Sequence, residues 1–185
     1  STAPTITLPV YTNATKKSNT DTLNINATVT DSGVGPSYCR INVATASASN
    51  VTVAVSNGWC NYSYSLAGAS DGNQTINVYA NDSLGNTGLN NSYVVWIDST
   101  GPTALFGTNP VDNYNTTSST TYFELSCSDN TGINYLILYG NWSGSWQINQ
   151  TNSSPYNNTV WNVSVTGIPQ GKYRWAVYCN DTSGS

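Results

Sequence analysis

Fourteen asparagines in this chain of 185 residues stand two positions before a serine or threonine, with no proline between them. This N-x-S/T pattern (a sequon) is the acceptor motif for N-linked glycosylation, in which the asparagine side chain carries an oligosaccharide. With 49 serines and threonines, chance would place about seven of the 26 asparagines in sequons. The sequon asparagines are Asn13, Asn26, Asn50, Asn61, Asn73, Asn81, Asn90, Asn115, Asn141, Asn149, Asn152, Asn157, Asn162 and Asn180.

The doubled density of sequons predicts heavy N-glycosylation, and their placement agrees with it. Asn26 lies on the outward face of an alternating stretch, and Asn61 alternates with the inward-facing Cys60 and Tyr62. The alternative is that asparagine is frequent in turns and that the motifs are incidental. We expect the first interpretation, because no sequon is forced into a predicted core.

The composition offers few candidate catalytic residues. The chain contains no histidine, which excludes Ser-His and Cys-His nucleophile systems and any histidine metal site. Its one glutamate, Glu124, alternates with Phe123 and Leu125 and is interpreted as a solvated outward charge. We therefore predict no catalytic residues, no cofactor and no enzymatic activity.

Calcium is the one metal that the aspartates leave open. Asp31, Asp82 and Asp98 could meet at one end of the first half of the chain, and Asp129 and Asp181 match the first two in the second half. Calcium takes six to eight oxygen ligands, and no dense D-x-D-x-D loop is present. Turn capping is the favoured interpretation, so no metal site is predicted and calcium remains the alternative.

Charge and hydropathy remove two further classes of function. Five lysines and arginines against nine acidic residues provide no basic stripe for nucleic acid. No window approaches 18 consecutive apolar residues, so neither a membrane span nor an export signal is expected in this segment. Among the aromatic residues, Tyr139, Trp142 and Trp146 could form an exposed sugar-binding cluster, although packing is the favoured interpretation.

An internal repeat predicts the elements that carry these residues. APTITL resembles GPTALF, TVTDSGVG resembles SCSDNTGI, and VYANDSLGN resembles VYCNDTSGS, at offsets of 98, 98 and 99 residues. Short alternating stretches with this period favour one β-sandwich per repeat, in domains 1–98 and 99–185. In the first repeat we predict seven strands, at about 4–10, 22–30, 37–45, 50–56, 59–66, 74–81 and 92–98.

The junction between the repeats resembles a known family. VYANDSLGN, the following VVWI and then DSTGPT at 98–103 are similar to the sixth strand, seventh strand and inter-domain junction of tandem bacterial immunoglobulin-like domains in archaeal and bacterial surface proteins. The opening STAPT resembles the same junction. The resemblance implies an all-β fold of two tandem immunoglobulin-like sandwiches and an extracellular setting.

Strand parity predicts how the four cysteines pair. Cys127 and Cys179 occupy inward positions of the second and sixth strands of the second repeat, where a bond can cross the sandwich as in antibody domains. Cys39 and Cys60 are inward on strands expected in opposite sheets, so they form the other predicted pair. Free thiols are the alternative. Such disulfides indicate an oxidising compartment.

The second repeat is predicted to lack its seventh strand. The equivalents of Val94–Ile97 would fall at 193–196, beyond residue 185. Either a longer repeat protein continues the chain or a neighbouring subunit donates a strand, for which TAPTITLPVY at 2–11 is the available segment.

These observations predict a structural, heavily N-glycosylated extracellular protein that forms a filament, stalk or surface coat, with an archaeal source favoured by the sequon load. Its expected partners are copies of itself or further immunoglobulin-like repeats, end to end. The alternative is an adhesin or a carbohydrate-binding module of a larger surface protein.

Overall fold

A computed structural model describes residues 2–9, 11 and 15–184 of the chain. These residues form fourteen β-strands and no helix, so none of them could span a membrane as a helix. The chain divides into two compact units, Ser1–Ser99 and Thr100–Ser185. The fold is therefore all-β, as the alternating pattern predicts.

Unit 1 contains eight strands in two sheets. They are β1 (Thr5–Thr7), β2 (Thr15–Lys17), β3 (Thr22–Thr30), β4 (Pro36–Val43), β5 (Val51–Ala54), β6 (Trp59–Ser65), β7 (Gly72–Asp82) and β8 (Thr87–Ile97). One sheet has the order β1-β3-β6 and the other the order β2-β8-β7-β4-β5. The two sheets enclose one apolar core, which makes this unit a β-sandwich.

The first strand differs from its prediction. Instead of one strand over 4–10, the chain forms β1, which pairs antiparallel with β3, and β2, which pairs parallel with β8 in the other sheet. Pro9 lies between them and has no backbone N–H to donate to a ladder, so a continuous strand is unfavourable there. Both sheets consequently receive a strand from the start of the chain.

Alternating side chains of β3, β4 and β7 form the core of unit 1. On β3 the fully or nearly fully buried residues are Leu23, Ile25, Ala27 and Val29, and the neighbouring strands contribute in the same way. Tyr62 is an exception: alternation along β6 predicts that it points inward, but 38% of its surface is exposed. Its strand, β6, lies at the edge of its sheet.

Unit 2 contains six strands in two three-stranded sheets. They are β9 (Thr103–Phe106), β10 (Thr121–Ser128), β11 (Ile133–Gly140), β12 (Gln147–Asn152), β13 (Trp161–Val165) and β14 (Trp175–Asp181). The sheet orders are β13-β10-β9 and β12-β11-β14. A separate core holds Phe123, Leu125, Leu136 and Leu138.

The outer edge of β14 distinguishes the two units. β14 pairs with β11 as β7 pairs with β4, but β7 also pairs with β8. Within the described part of the chain no strand equivalent to β8 pairs with β14. In the described residues, unit 2 therefore has six strands where unit 1 has eight, with no counterpart of β2 or β8.

Candidate functional site: sequons and an aromatic sheet face

Each unit has one disulfide that joins its two sheets. Cys39 on β4 is bonded to Cys60 on β6, with their Cα atoms 6.3 Å apart. Cys127 on β10 is bonded to Cys179 on β14, with their Cα atoms 6.6 Å apart. These are the pairs that strand parity predicts. Two structural disulfides in a chain of this size are typical of oxidising compartments.

The sequon asparagines avoid both cores. None of the thirteen in the described part of the chain is buried, and Asn13 lies outside the described residues. The exposed ones are Asn50, Asn61, Asn73, Asn115, Asn157 and Asn162. The half-buried ones are Asn26, Asn81, Asn90, Asn141, Asn149, Asn152 and Asn180.

Three of these side chains already donate a hydrogen bond from Nδ2. Asn81 donates to the Thr87 hydroxyl at 2.7 Å, and Asn90 donates to the carbonyl oxygen of Ile6 at 3.0 Å. Asn157 donates to the carbonyl oxygen of Asp129. Glycosylation replaces one of the two Nδ2 hydrogens, so each of these bonds can survive the attachment of a sugar.

The outer face of the sheet β12-β11-β14 carries a row of aromatic side chains, which we call the aromatic face. Trp146 and Tyr139 are stacked with centroids 6.2 Å apart and an interplanar angle of 14°. Tyr139 meets Tyr178 edge to face at 6.4 Å, and Tyr178 stacks with Tyr135 at 6.2 Å. Trp146 is 52% exposed and Tyr178 49%. This is a continuous, accessible aromatic surface.

The alternation of two neighbouring strands builds this face. On β11, Leu136 and Leu138 point into the core, so Tyr135 and Tyr139 point outward. Ile137 is outward as well but only 7% exposed, and it lies opposite Tyr178 in the ladder. Desolvation by its neighbours raises the pKa of the Tyr135 phenol, and the adjacent Tyr178 adds to the rise.

The structure separates the three aromatic residues that the sequence grouped together. Trp142 is buried and packs on Phe123, with ring centroids 5.5 Å apart. A Cβ atom at Gly140 would lie 2.0 Å from the indole of Trp142, so this glycine leaves room for the ring. The sequence prediction did not include Tyr135 and Tyr178, although strand parity could have identified both.

Four aspartates of the calcium alternative cap turns. Asp31 accepts backbone bonds from Gly33 and Gly35, and Asp82 accepts them from Leu84 and Asn86. In unit 2, Asp129 accepts from Thr131 and Asp181 from Ser183 and Gly184. Carboxylate oxygens of Asp129 and Asp181 lie within 4.8 Å of each other. Asp98 is buried, and its backbone N–H donates to the carbonyl oxygen of Lys17.

Glu124 is more than the solvated charge expected from its parity. Its carboxylate accepts hydrogen bonds from the hydroxyl and backbone N–H of Thr108 and from Nδ2 of Asn109. The bond from the Thr108 hydroxyl, followed by that from Asn109, lowers the pKa of the Glu124 carboxyl. The residue therefore anchors the segment after β9 to β10.

Several solved structures align with the chain at low sequence identity. No protein-family model and no curated protein matches the chain. Among solved structures, the fibronectin(III)-like modules of Clostridium thermocellum CbhA align over 98% of this chain and 88% of theirs, at 14% identity and a TM-score of 0.42.

Two further structures align over nearly the whole chain. A chimeric titin Z1Z2 aligns over 98% of this chain and 91% of its own, at 10% identity and a TM-score of 0.38. A Ca²⁺-stabilized, ice-binding adhesin of an Antarctic bacterium aligns over 97% of this chain and 48% of its own, at 14% identity and a TM-score of 0.49. The paired sheets, with a disulfide across each pair, make both units immunoglobulin-like β-sandwiches.

Proposed function

We propose that this chain is a structural, non-enzymatic and N-glycosylated extracellular segment, built from immunoglobulin-like domains of the tandem bacterial type found in archaeal and bacterial surface proteins. Its role is mechanical and protective, in a filament, stalk or surface coat. The observation that carries the proposal is the distribution of the sequon asparagines, all thirteen of which stay out of the cores in the described part of the chain.

The chemistry of attachment needs an accessible amide and an activated sugar. Nδ2 of the asparagine forms a bond to C1 of a sugar donor activated by a phosphate-type leaving group, and one Nδ2 proton is lost as that group departs. The enzyme and the donor come from the host. The chain supplies exposed acceptors on strands and in turns of both units.

A sugar coat suits an assembly that joins end to end. With most sequons occupied, carbohydrate would cover much of both sheet faces and leave the ends of each sandwich as the main bare protein surface. The partners in this proposal are further immunoglobulin-like repeats or copies of the same chain. No described strand pairs with the outer edge of β14, whereas β7 pairs with β8 at the equivalent edge, so a strand equivalent to β8 from a continuing repeat or a neighbouring subunit would fit there.

The proposal is tested by intact-mass measurement and glycopeptide mapping of the protein isolated from its native surface. We expect carbohydrate on a majority of the sequons in both units. Electron microscopy of the same material should show an extended polymer or array. A native mass equal to that of the bare polypeptide would contradict the glycosylated version of the proposal.

A second candidate function is favoured by one observation, the aromatic face. Exposed aromatic rings on a sheet are suited to stacking on sugar rings, as in an adhesin or a carbohydrate-binding module. This candidate predicts saturable binding of a soluble polysaccharide that is lost in Trp146→Ala. The structural proposal predicts no such binding, so a glycan-array screen of the deglycosylated protein distinguishes the two.

A further inference from the structure

The sequon asparagine Asn180 has two tyrosine neighbours on the aromatic face. Tyr178 precedes it by two residues on β14, so both side chains point to the same side of the sheet. Tyr135 lies directly opposite Asn180 on β11. Opposite residues have their Cβ atoms about 5 Å apart, and a two-residue step along a strand is about 7 Å. Both rings are therefore within reach of a sugar attached to Asn180.

Unit 1 repeats this arrangement. Asn81 lies two residues after Tyr79 on β7 and directly opposite Tyr38 on β4. Both tyrosines are half-exposed, and neither belongs to the core of unit 1. The repeat thus preserves a sequon with two tyrosines beside it, on the outer face of the equivalent pair of strands.

The same spacing recurs along the chain more often than composition predicts. An aromatic residue precedes five of the fourteen sequon asparagines by two positions, whereas an aromatic share of 11% predicts between one and two. The five aromatic residues are Tyr11, Trp59, Tyr79, Tyr139 and Tyr178. The excess indicates that aromatic residues are associated with the sequons beyond what the aromatic content of the chain explains.

The surroundings of Asn180 fit the first sugar of an N-linked glycan. Its Oδ1 is buried and has no hydrogen-bond partner among the described residues, so no hydrogen bond to Oδ1 holds the amide in place. The outward residues beside it on β11 and β14 are uncharged: Tyr135, Ile137, Tyr139, Ala176 and Tyr178. A pyranose ring presents C–H groups on one side, and these pack favourably on the electron-rich face of an aromatic ring.

We propose that the aromatic face of unit 2 is the surface on which the glycan of Asn180 rests, with its first sugar packed against Tyr178 and Tyr135. This inference depends on the proposed glycosylation of the chain. The attachment point lies on the face itself, so the tether holds the sugar at high effective concentration beside the rings. The glycan thereby covers apolar surface and stabilises unit 2.

A double-mutant cycle on the full chain tests this contact. The four proteins are the wild type, Asn180→Gln, Tyr178→Ala and the double variant, each produced in a host that glycosylates N-x-S/T and again in one that does not. In the glycosylated set, Asn180→Gln should lower the Tm of unit 2 by about 4 °C when Tyr178 is present and by less than half of that when alanine replaces it. The unglycosylated set should show no such difference.

Asn162→Gln is the matched control. Asn162 is an exposed sequon asparagine on β13 of the same unit, with Val160 two residues before it and Glu124 opposite. Loss of its glycan should not couple to Tyr178. Glycopeptide mapping of every protein measures the occupancy of both sites, so glycosylation and contact are determined separately.

Three results would overturn the inference. In the first, Asn180 is occupied but Asn180→Gln lowers the Tm equally with and without Tyr178. The contact would then be absent, while the proposed glycosylation would stand. In the second, Asn162 is glycosylated but Asn180 is not, so no glycan would be available to rest on the aromatic face. Tyr178-dependent binding of chitotriose by the unglycosylated protein, without coupling in the glycosylated cycle, would assign the face to a saccharide from another molecule.

Discussion

At the scale of single residues, Glu124 has a pH-dependent role. It accepts three hydrogen bonds from Thr108 and Asn109, which favour its ionised form and lower its pKa in the folded protein. The unfolded chain therefore binds a proton more readily than the folded chain between the two pKa values, so stability rises with pH across this interval. The contribution is fully present above the ordinary value of 4.5 and is lost as the pH falls through the lowered one.

Substitution of Glu124 by glutamine should remove this dependence. We expect Glu124→Gln to be less stable than the wild type at pH 7 and the difference to shrink as the pH is lowered below 4.5. Urea unfolding of both proteins at a series of pH values measures it. The control is Asp112→Asn, whose carboxylate is exposed and accepts hydrogen bonds from the adjacent Asn113. A constant difference between wild type and Glu124→Gln across the series would contradict the assignment.

At the scale of strands, Gly88 allows a close backbone approach in unit 1. A Cβ atom at this position on β8 would lie 1.9 Å from the carbonyl oxygen of Pro4, just before β1. Backbone cannot yield as a flexible side chain can, so β1 or β8 would have to move. The absence of a side chain at Gly88 is what allows the start of the chain to pack against β8.

Gly88→Ala should consequently destabilise unit 1 by about 1–3 kcal/mol. The measurement is denaturant unfolding followed by a probe within unit 1, with hydrogen exchange of the β1–β3 ladder as a local readout. Leu89→Ala is the control, because Leu89 is the next residue on the strand and is 50% exposed. An unchanged midpoint for Gly88→Ala would mean that β1 does not need this close approach.

The disulfides also act at the scale of elements, because each joins two strands of opposite sheets. The half-cystines are separated by 21 residues in unit 1 and by 52 in unit 2. Loop-closure entropy then favours the second bond slightly, with contributions of about 3.4 and 4.2 kcal/mol.

Removal of either bond should weaken the unit that contains it. Replacement of both Cys127 and Cys179 by alanine should lower the stability of unit 2 by about 4 kcal/mol, and the matched pair Cys39 and Cys60 should have a similar effect on unit 1. Hydrogen exchange resolved by strand distinguishes the two units. Wild-type protection of β10 and β14 in the first variant would contradict the estimate.

At the scale of the whole molecule, low charge and exposed apolar side chains are expected to lower the solubility of the bare polypeptide. Only 8% of residues are charged and the net charge is −4, while Phe106, Tyr122, Trp146 and Tyr156 are more than half exposed. Such surfaces promote association unless they are covered. A hydrated, neutral glycan coat would cover them without adding charge.

Enzymatic removal of the proposed N-glycans should therefore increase self-association. We expect the deglycosylated protein to sediment as larger species, or to precipitate, at concentrations where the mock-treated glycoprotein is stable. Analytical ultracentrifugation at matched protein concentrations makes the comparison. Identical sedimentation of the two samples would show that the bare protein surface is sufficiently soluble.

The amino-acid sequence by itself determined the features that depend on local pattern. Alternation in stretches such as Leu23–Val29 predicted strands and their inward faces, because side-chain direction in a strand repeats every two residues. Sequons and the absence of histidine depend only on residue types. The same alternation also predicted the two disulfides that the structure contains.

Only the tertiary structure decided the features that depend on register, edges and the partners of side chains. It ended the first strand at Thr7, ahead of Pro9, buried Trp142 while leaving Trp146 exposed, and gave Glu124 its partners in the segment after β9. It also set Tyr135 opposite Asn180. Parity assigns a side chain to a face of a strand, but cross-strand register and the edges of each sheet determine what it meets there.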